Sequence, residues 1–162
     1  MSAKPTVYLL CGFIGAGKTT FAQQLELRTG AVRITKDACL IRLIGHDATI
    51  PGYAESDRKI IELSREVAFQ FVAQGIDVIL DEGFWDKEER ATMRRRIEGM
   101  GAEAVPYYLD APIAVIRARV ARRSADPPPD SFRISDELLD VYLAKWEPPG
   151  DDEDYVLARE IS

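Results

Sequence analysis

Residues Gly12-Phe13-Ile14-Gly15-Ala16-Gly17-Lys18-Thr19 fit the pattern G-x-x-x-x-G-K-S/T, and no other stretch constrains the chain as tightly. Each fixed position has a physical job. The glycines let the backbone fold tightly, so that successive N–H groups point inward at phosphate oxygens. Lys18 is expected to set its ammonium against the β- and γ-phosphates of a nucleotide, and Thr19 to offer a hydroxyl to Mg²⁺. A helix starting here adds the positive end of its dipole. The flanks suit the pattern. Thr6 to Cys11 is a short apolar run that reads as a buried strand, and Phe21, Ala22 and Leu25 then recur at helical spacing.

The rest of the chain alternates strand and helix. A first helix runs from about Gly17 to Arg28 and stops near Gly30. Ala31 to Ile34 is a second strand, followed by Thr35-Lys36-Asp37 and a short helix or turn from Ala38 to Ile44. Gly45 to Ala54 reads as a loop placed to wrap a substrate. A long helix follows, with Ile60, Leu63, Val67 and Phe71 on one face and Ile61, Ala68 and Val72 beside it. Ile76 to Asp81 is the third strand. Asp86 and Glu89 resemble a capping box, and Met93, Ile97 and Met100 form the inner stripe of the helix they open. Glu103 to Leu109 is the fourth strand, where Pro106 suggests a bulge or an edge. Ile113, Ile116 and Val120 face inward on the next helix. Ser135 caps the last one, with Leu138, Leu139, Tyr142, Leu143 and Trp146 as its apolar set. Tyr155 to Ala158 reads as a closing fifth strand. The pattern predicts one α/β domain over residues 1–162, a parallel sheet with helices on both faces.

Composition narrows the function classes. The chain has 162 residues, 46% apolar and 30% charged, which suits one domain with a full core. Its apolar runs fall short of the roughly 18 residues a membrane span needs. The start leads straight into a strand and leaves no room for a signal peptide. Cys11 and Cys39 have no metal spacing and read as reduced thiols, so a cytoplasmic location is expected. The net charge of −6 argues against a nucleic acid as main partner.

Ligands of an open parallel sheet bind at the carboxyl ends of its strands. Asp37, Asp81 and Asp110 fall there. Asp81 ends an apolar run, which suits an acid that fixes a Mg²⁺-bound water; the alternative is a turn or helix cap, and Glu82 is its rival. Asp37 is the candidate to orient an acceptor hydroxyl, or else an N-cap. Lys36 faces either phosphates or solvent. Arg119 and Arg123 lie one helical turn apart, with Arg122 beside them, ahead of the stiff run Asp126-Pro127-Pro128-Pro129-Asp130. On a closing flap they would neutralise charge on a transferring phosphoryl group; otherwise they form a solvated face. Among Arg90, Arg94, Arg95 and Arg96, Arg90 is the best functional candidate on an otherwise solvated face. His46 reads as a surface-loop residue. Phe84 and Trp85 either stack on a base or plug the sheet end. Tyr107, Tyr108 and Trp146 read as core.

Taken together, these stretches resemble the small P-loop kinases: polynucleotide 5′-kinases, zeta-toxin-type kinases, chloramphenicol phosphotransferase and gluconate kinase, whose members are often labelled AAA-family ATPases. The likeness is carried by Gly12 to Thr20, Thr35-Lys36-Asp37, Asp81 through Arg90, Arg119 to Arg123 and the ending Trp146-Glu147-Pro148-Pro149. It implies a P-loop NTPase sheet of five strands in the order 2-3-1-4-5. It implies ATP with Mg²⁺, held by Gly12, Gly15, Ala16, Gly17, Lys18, Thr19 and Thr20, with Arg119 and Arg123 on a lid over about residues 119–134 and the metal near Thr19 and Asp81. Lys18, Asp37 and Arg123 are then the catalytic candidates. In polynucleotide kinases a second Asp and, three residues past the base, an Arg that grips substrate phosphate would follow; here those places hold Ala38 and Leu40, and the nearest Arg is Arg42. The reading is therefore an ATP-dependent kinase acting on a hydroxyl of a small molecule, as monomer or homodimer. A polynucleotide 5′-hydroxyl kinase and an ATP-binding switch with feeble ATPase activity are the alternatives.

Overall fold

The computed structural model describes residues 3–158. Met1 and Ser2, on which the expectation of no signal peptide partly falls, lie outside the described residues. In chain order the elements are β1 (Thr6–Gly12), α1 (Lys18–Thr29), β2 (Val32–Thr35), α2 (Lys36–Ile44), α3 (Tyr53–Ala73), β3 (Val78–Gly83), α4 (Lys87–Gly99), β4 (Glu103–Leu109), α5 (Ile113–Ala125), α6 (Asp136–Leu143) and β5 (Val156–Leu157). The five strands form one sheet in the order β2-β3-β1-β4-β5, and every pairing is parallel. This is the order implied by the family resemblance.

The alternation along β1 explains the two layers of helix. Side chains of successive strand residues point to opposite faces. Val7, Leu9 and Cys11 pack with Ala68, Phe69 and Val72 of α3 and Met93 and Ile97 of α4. Tyr8 and Leu10 face the other way, toward Phe21, Ala22 and Leu25 of α1. A third apolar cluster lies past the carboxyl ends of the strands. There Phe13 joins Leu40 and Ile41 of α2, Ile116 and Val120 of α5, and Leu139 of α6. This cluster holds α2, α5 and α6 against the end of the sheet. Ile97 is fully buried in the first cluster. Ile97→Ala is expected to lower stability by about 2–5 kcal/mol, read as a drop in denaturation midpoint with an unchanged slope.

Several local expectations are corrected. On α3 the buried residues are Ile60, Ala68, Phe69 and Val72, while Leu63 and Val67 are exposed. The helix packs on two clusters at different rotations: Ile60 on the α2 side, the later residues on the sheet. Met100 lies past the end of α4 as its C-cap and Ile113 begins α5, and both are exposed. Pro106 sits in unbroken register opposite Leu9, without a bulge. It is tolerated because β5 covers only Tyr107 and Tyr108 of β4, so the strand is an edge where the proline falls. The register irregularity is elsewhere, between Leu9 and Cys11 on the β3 side of β1.

Candidate active site

Between β1 and α1 the chain makes the tight loop its sequence requires. Ala16 N–H donates to Phe13 O at 3.1 Å, and Phe21 N–H to Gly17 O at 3.0 Å. Gly15 has φ 77° and Gly17, the residue capping α1, has φ 97°. A Cβ at Gly15 would also come within 2.9 Å of Val120, so the loop and α5 touch through the missing side chain. Lys18 folds back, its Nζ donating to Phe13 O at 2.9 Å. Burial pulls its pKa down, opposed by the carboxylates of Asp81 and Asp37. Gly12 and Ala16 are buried beneath the loop, and Thr20 is exposed on the cavity wall.

The cavity above the loop has a volume of about 950 Å³ and brings together Gly15, Gly17, Lys18, Thr19, Asp37 and Asp81, with Arg119, Arg122 and Arg123 over them. Thr19 Oγ1 donates to Asp81 Oδ2 at 3.3 Å. Burial raises the Asp81 pKa against the pull of Lys18. Asp81 and Glu82 are consecutive in β3, so they leave the sheet on opposite faces. Asp81 meets the loop; Glu82 meets Arg65 of α3, whose Nε and Nη2 donate to its Oε2 at 2.9 and 2.6 Å. The same Arg65 reaches Glu89 at 2.6 Å. Glu89 thus does not complete a capping box; Asp86 alone caps α4, accepting from Glu89 N–H at 2.8 Å. Among the described residues Glu82 Oε1 is buried without a hydrogen-bond partner.

Asp37 stands in the first turn of α2 and is not its N-cap, which is Thr35. Lys36 faces neither bulk solvent nor an isolated phosphate site: its Nζ bridges Asp37 at 3.1 Å and Asp57 of α3 at 2.6 Å. Burial disfavours its charge, but those two carboxylates more than offset this and raise its pKa. Asp110 is exposed, receives the Tyr108 hydroxyl at 3.3 Å and lies outside the cavity lining. Leu40 is fully buried, and Arg42 is exposed and outside the lining, so α2 presents no cation where a polynucleotide kinase would grip phosphate.

The arginines of α5 divide. Arg119 Nη1 donates to Gly15 O at 3.2 Å, against the loop itself. Arg123 carries a buried Nε with no partner among the described residues, and burial lowers its pKa while Asp37 and Asp130 oppose that shift. Arg123 lines the cavity, and its desolvated guanidinium fits an anionic group there. The loop that follows is closed on itself by Ser124, whose Oγ accepts from Ile134 N–H at 2.9 Å and donates to Ile134 O at 3.2 Å. It is also tied to the 45–52 loop: the His46 ring lies 2.6 Å from Ser131 O, and Arg133 N–H donates to His46 O at 2.9 Å. His46 therefore joins two loops rather than standing free on the surface.

Phe84 and Trp85 fill the sheet end. Phe84 is buried with φ 49°, a conformation costly for a bulky residue. Arg90 holds it: Nη1 donates to Phe84 O at 2.9 Å and to Glu147 O at 2.8 Å, and Nε and Nη2 pair with Glu153 at 2.7 and 2.9 Å. Arg90 is thus a buried clamp on the turn that aims Trp85, not part of a solvated face. Arg90→Ala is expected to cost about 3 kcal/mol of stability, because Glu153 and two carbonyls lose their donor. Thermal unfolding with and without Glu153→Gln checks whether the loss is shared through that pair.

The residues missed from sequence are Asp57 and Arg65, which neutralise partners far away in the chain; Tyr53 was seen only as part of a wrapping loop. A buried strand-end acid such as Glu82 signals that a cation must meet it, without saying which.

Comparisons with known proteins agree with this architecture. A protein from Chloroflexus aurantiacus j-10-fl provisionally named a kinase superposes with a TM-score of 0.74 at 18% identity, covering 96% of this chain and 87% of that one. A chain of the Pnkp1/Rnl/Hen1 RNA repair complex gives 0.70 at 20% identity, covering 90% of this chain and 45% of that one. A sugar kinase from Janibacter sp. HTCC2649, in unliganded form, gives 0.67 at 21%, covering 96% and 85%. In sequence, the signal recognition particle 54 kDa protein of Staphylothermus marinus is 32% identical over 126 residues, 68% of this chain, which spans only 29% of that protein. Among the described residues no helix is long and apolar enough to cross a membrane. Residues 7–149 match the AAA_33 family, described as an AAA domain, and the chain belongs to that family, with the fold of the P-loop kinase group.

Proposed function

We propose that the protein is an ATP-dependent kinase that phosphorylates a hydroxyl group of a small molecule. The observation that carries this reading is one cavity in which the P-loop lysine, Thr19 and Asp81 share walls with Asp37 and Arg123. A nucleotide switch needs the first group but has no use for an acid and an aromatic wall across the gap.

The residues suit MgATP. Gly15 and Gly17 hold the left-handed backbone that a tight phosphate loop needs, and among the described residues the buried Arg123 Nε has no partner. Thr19 and Asp81 form an oxygen-only pair that suits Mg²⁺. When bound, the metal ion would neutralise charge on the β- and γ-phosphates. Lys18 would leave Phe13 O and bind the γ-phosphate. Asp37 would orient the acceptor hydroxyl and take its proton. The acceptor oxygen then bonds to the γ-phosphorus as the bond to the β–γ bridging oxygen breaks, its electron pair leaving on ADP. Arg123, on a lid over about residues 119–134, would stabilise the charge in transit. Most of the rate comes from positioning and fixed charge.

A polynucleotide acceptor is disfavoured by Leu40 and Arg42, because α2 offers no phosphate grip. The reading is tested by ADP release in a screen of hydroxyl-bearing metabolites, with a 5′-hydroxyl oligonucleotide included. Stimulation by a small alcohol is the expected result; stimulation by the oligonucleotide alone overturns the choice of acceptor. In the stimulated reaction, Arg123→Ala is expected to lower turnover by about 10²-fold.

A further inference from the structure

Two ends of the cavity differ in charge, and the difference bears on the acceptor. At the loop end, Lys18, Arg119, Arg122 and Arg123 are gathered where a triphosphate would lie. The far wall is built by α2, α3, the end of β3 and the start of α4. It carries four carboxylates, Asp37, Asp57, Glu82 and Glu89, against two cations, Lys36 and Arg65. Both cations are already committed to those acids. Lys145 stands exposed at the rim. An anionic acceptor would meet surplus negative charge there, with Lys36 and Arg65 spoken for.

The far wall also asks for a donor. Glu82 is 3% exposed at its side chain, and Arg65 satisfies only its Oε2. Oε1 is buried with no partner among the described residues. Such a carboxylate oxygen accepts strongly from an N–H and most strongly from a charged one. The cavity also carries an aromatic surface. Trp85 packs edge-on to Tyr142 at 5.6 Å, and Tyr53, Trp85 and Tyr142 all line the cavity. Aromatic faces favour flat apolar bodies and cations.

Resting on the kinase reading above, we propose that the acceptor is an amine-bearing alcohol with a flat, apolar body, its ammonium directed to Glu82, its body against Tyr53, Trp85 and Tyr142, and its hydroxyl at Asp37. Asp57 and Glu89 contribute the surrounding negative potential. Carboxylated and phosphorylated alcohols are excluded by the same charges.

Three compounds that share a phenyl group and a benzylic hydroxyl test this: 2-amino-1-phenylethanol, 1-phenyl-1,2-ethanediol and mandelate. Each is titrated into the unaltered protein with MgATP present, reading tryptophan fluorescence for binding and ADP release for transfer. The amine is expected to bind best and mandelate about 100-fold more weakly or not at all, since like charges are brought together. Glu82→Gln keeps the shape and removes the charge; the preference for amine over diol is expected to fall to about one. Mandelate binding as well as the amine, none of the three binding, or an amine preference unchanged in Glu82→Gln overturns the proposal. Failure of MgATP itself to bind the unaltered protein would instead bring down the kinase reading beneath it.

Discussion

Lys18→Ala is expected to lower phosphoryl transfer by about 10³-fold or more, the scale set by losing a fixed charge aimed at the transferring group. The lysine sits at the start of α1 with its ammonium on Phe13 O, one of the carbonyls of the loop itself. That contact holds the side chain over the cradle. Burial disfavours its charge, and the carboxylates of Asp81 and Asp37 oppose that shift. Alanine removes the charge and the reach but leaves the glycine conformations and the core untouched. The variant should therefore fold, with a melting temperature within a few degrees of the parent, and should bind ATP more weakly. Turnover within about tenfold of the parent would contradict the role given to the loop.

Asp37→Asn is the second large effect, and it separates the two substrates. The amide has the size of the carboxylate but cannot take a proton. Lys36 keeps Asp57 at 2.6 Å, so the wall should hold its shape. ATP affinity is expected to change by less than about threefold, while turnover falls by about 10²–10⁴-fold, the range for losing a positioned general base. Rapid-mix single-turnover kinetics would place the loss in the transfer step. Lost ATP binding with turnover retained would mean that the acid serves the nucleotide instead.

These expectations rest on features that differ in how far they can be read from the chain. The P-loop was legible because its constraints are local: φ values at Gly15 and Gly17, a strand before and a helix after. The carboxyl-end acids Asp37 and Asp81 followed from their places at the ends of predicted strands, and the cavity contains both. Asp110 obeyed the same rule yet falls outside: Leu109 before it pairs with Gly12, but Asp110 itself is exposed and takes the Tyr108 hydroxyl. Helical periodicity misled on α3, where one stripe cannot describe a helix that changes partners halfway. The far wall was the least legible. Lys36 with Asp57, and Arg65 with Glu82 and Glu89, join residues 17 to 24 positions apart through the fold, and no local pattern announces such pairs. Arg90 was singled out as the best functional candidate of its run, but its work is to hold a strained Phe84 in place.

The central claim is that the loop from Gly12 to Thr19 grips a triphosphate with the help of Mg²⁺. Titration calorimetry of ATP into the protein with magnesium tests it most directly. The account predicts saturable heat at one nucleotide per chain, weakened when magnesium is withheld and in Lys18→Ala. A flat titration of the folded parent protein, or heat that Lys18→Ala leaves unchanged, would contradict it.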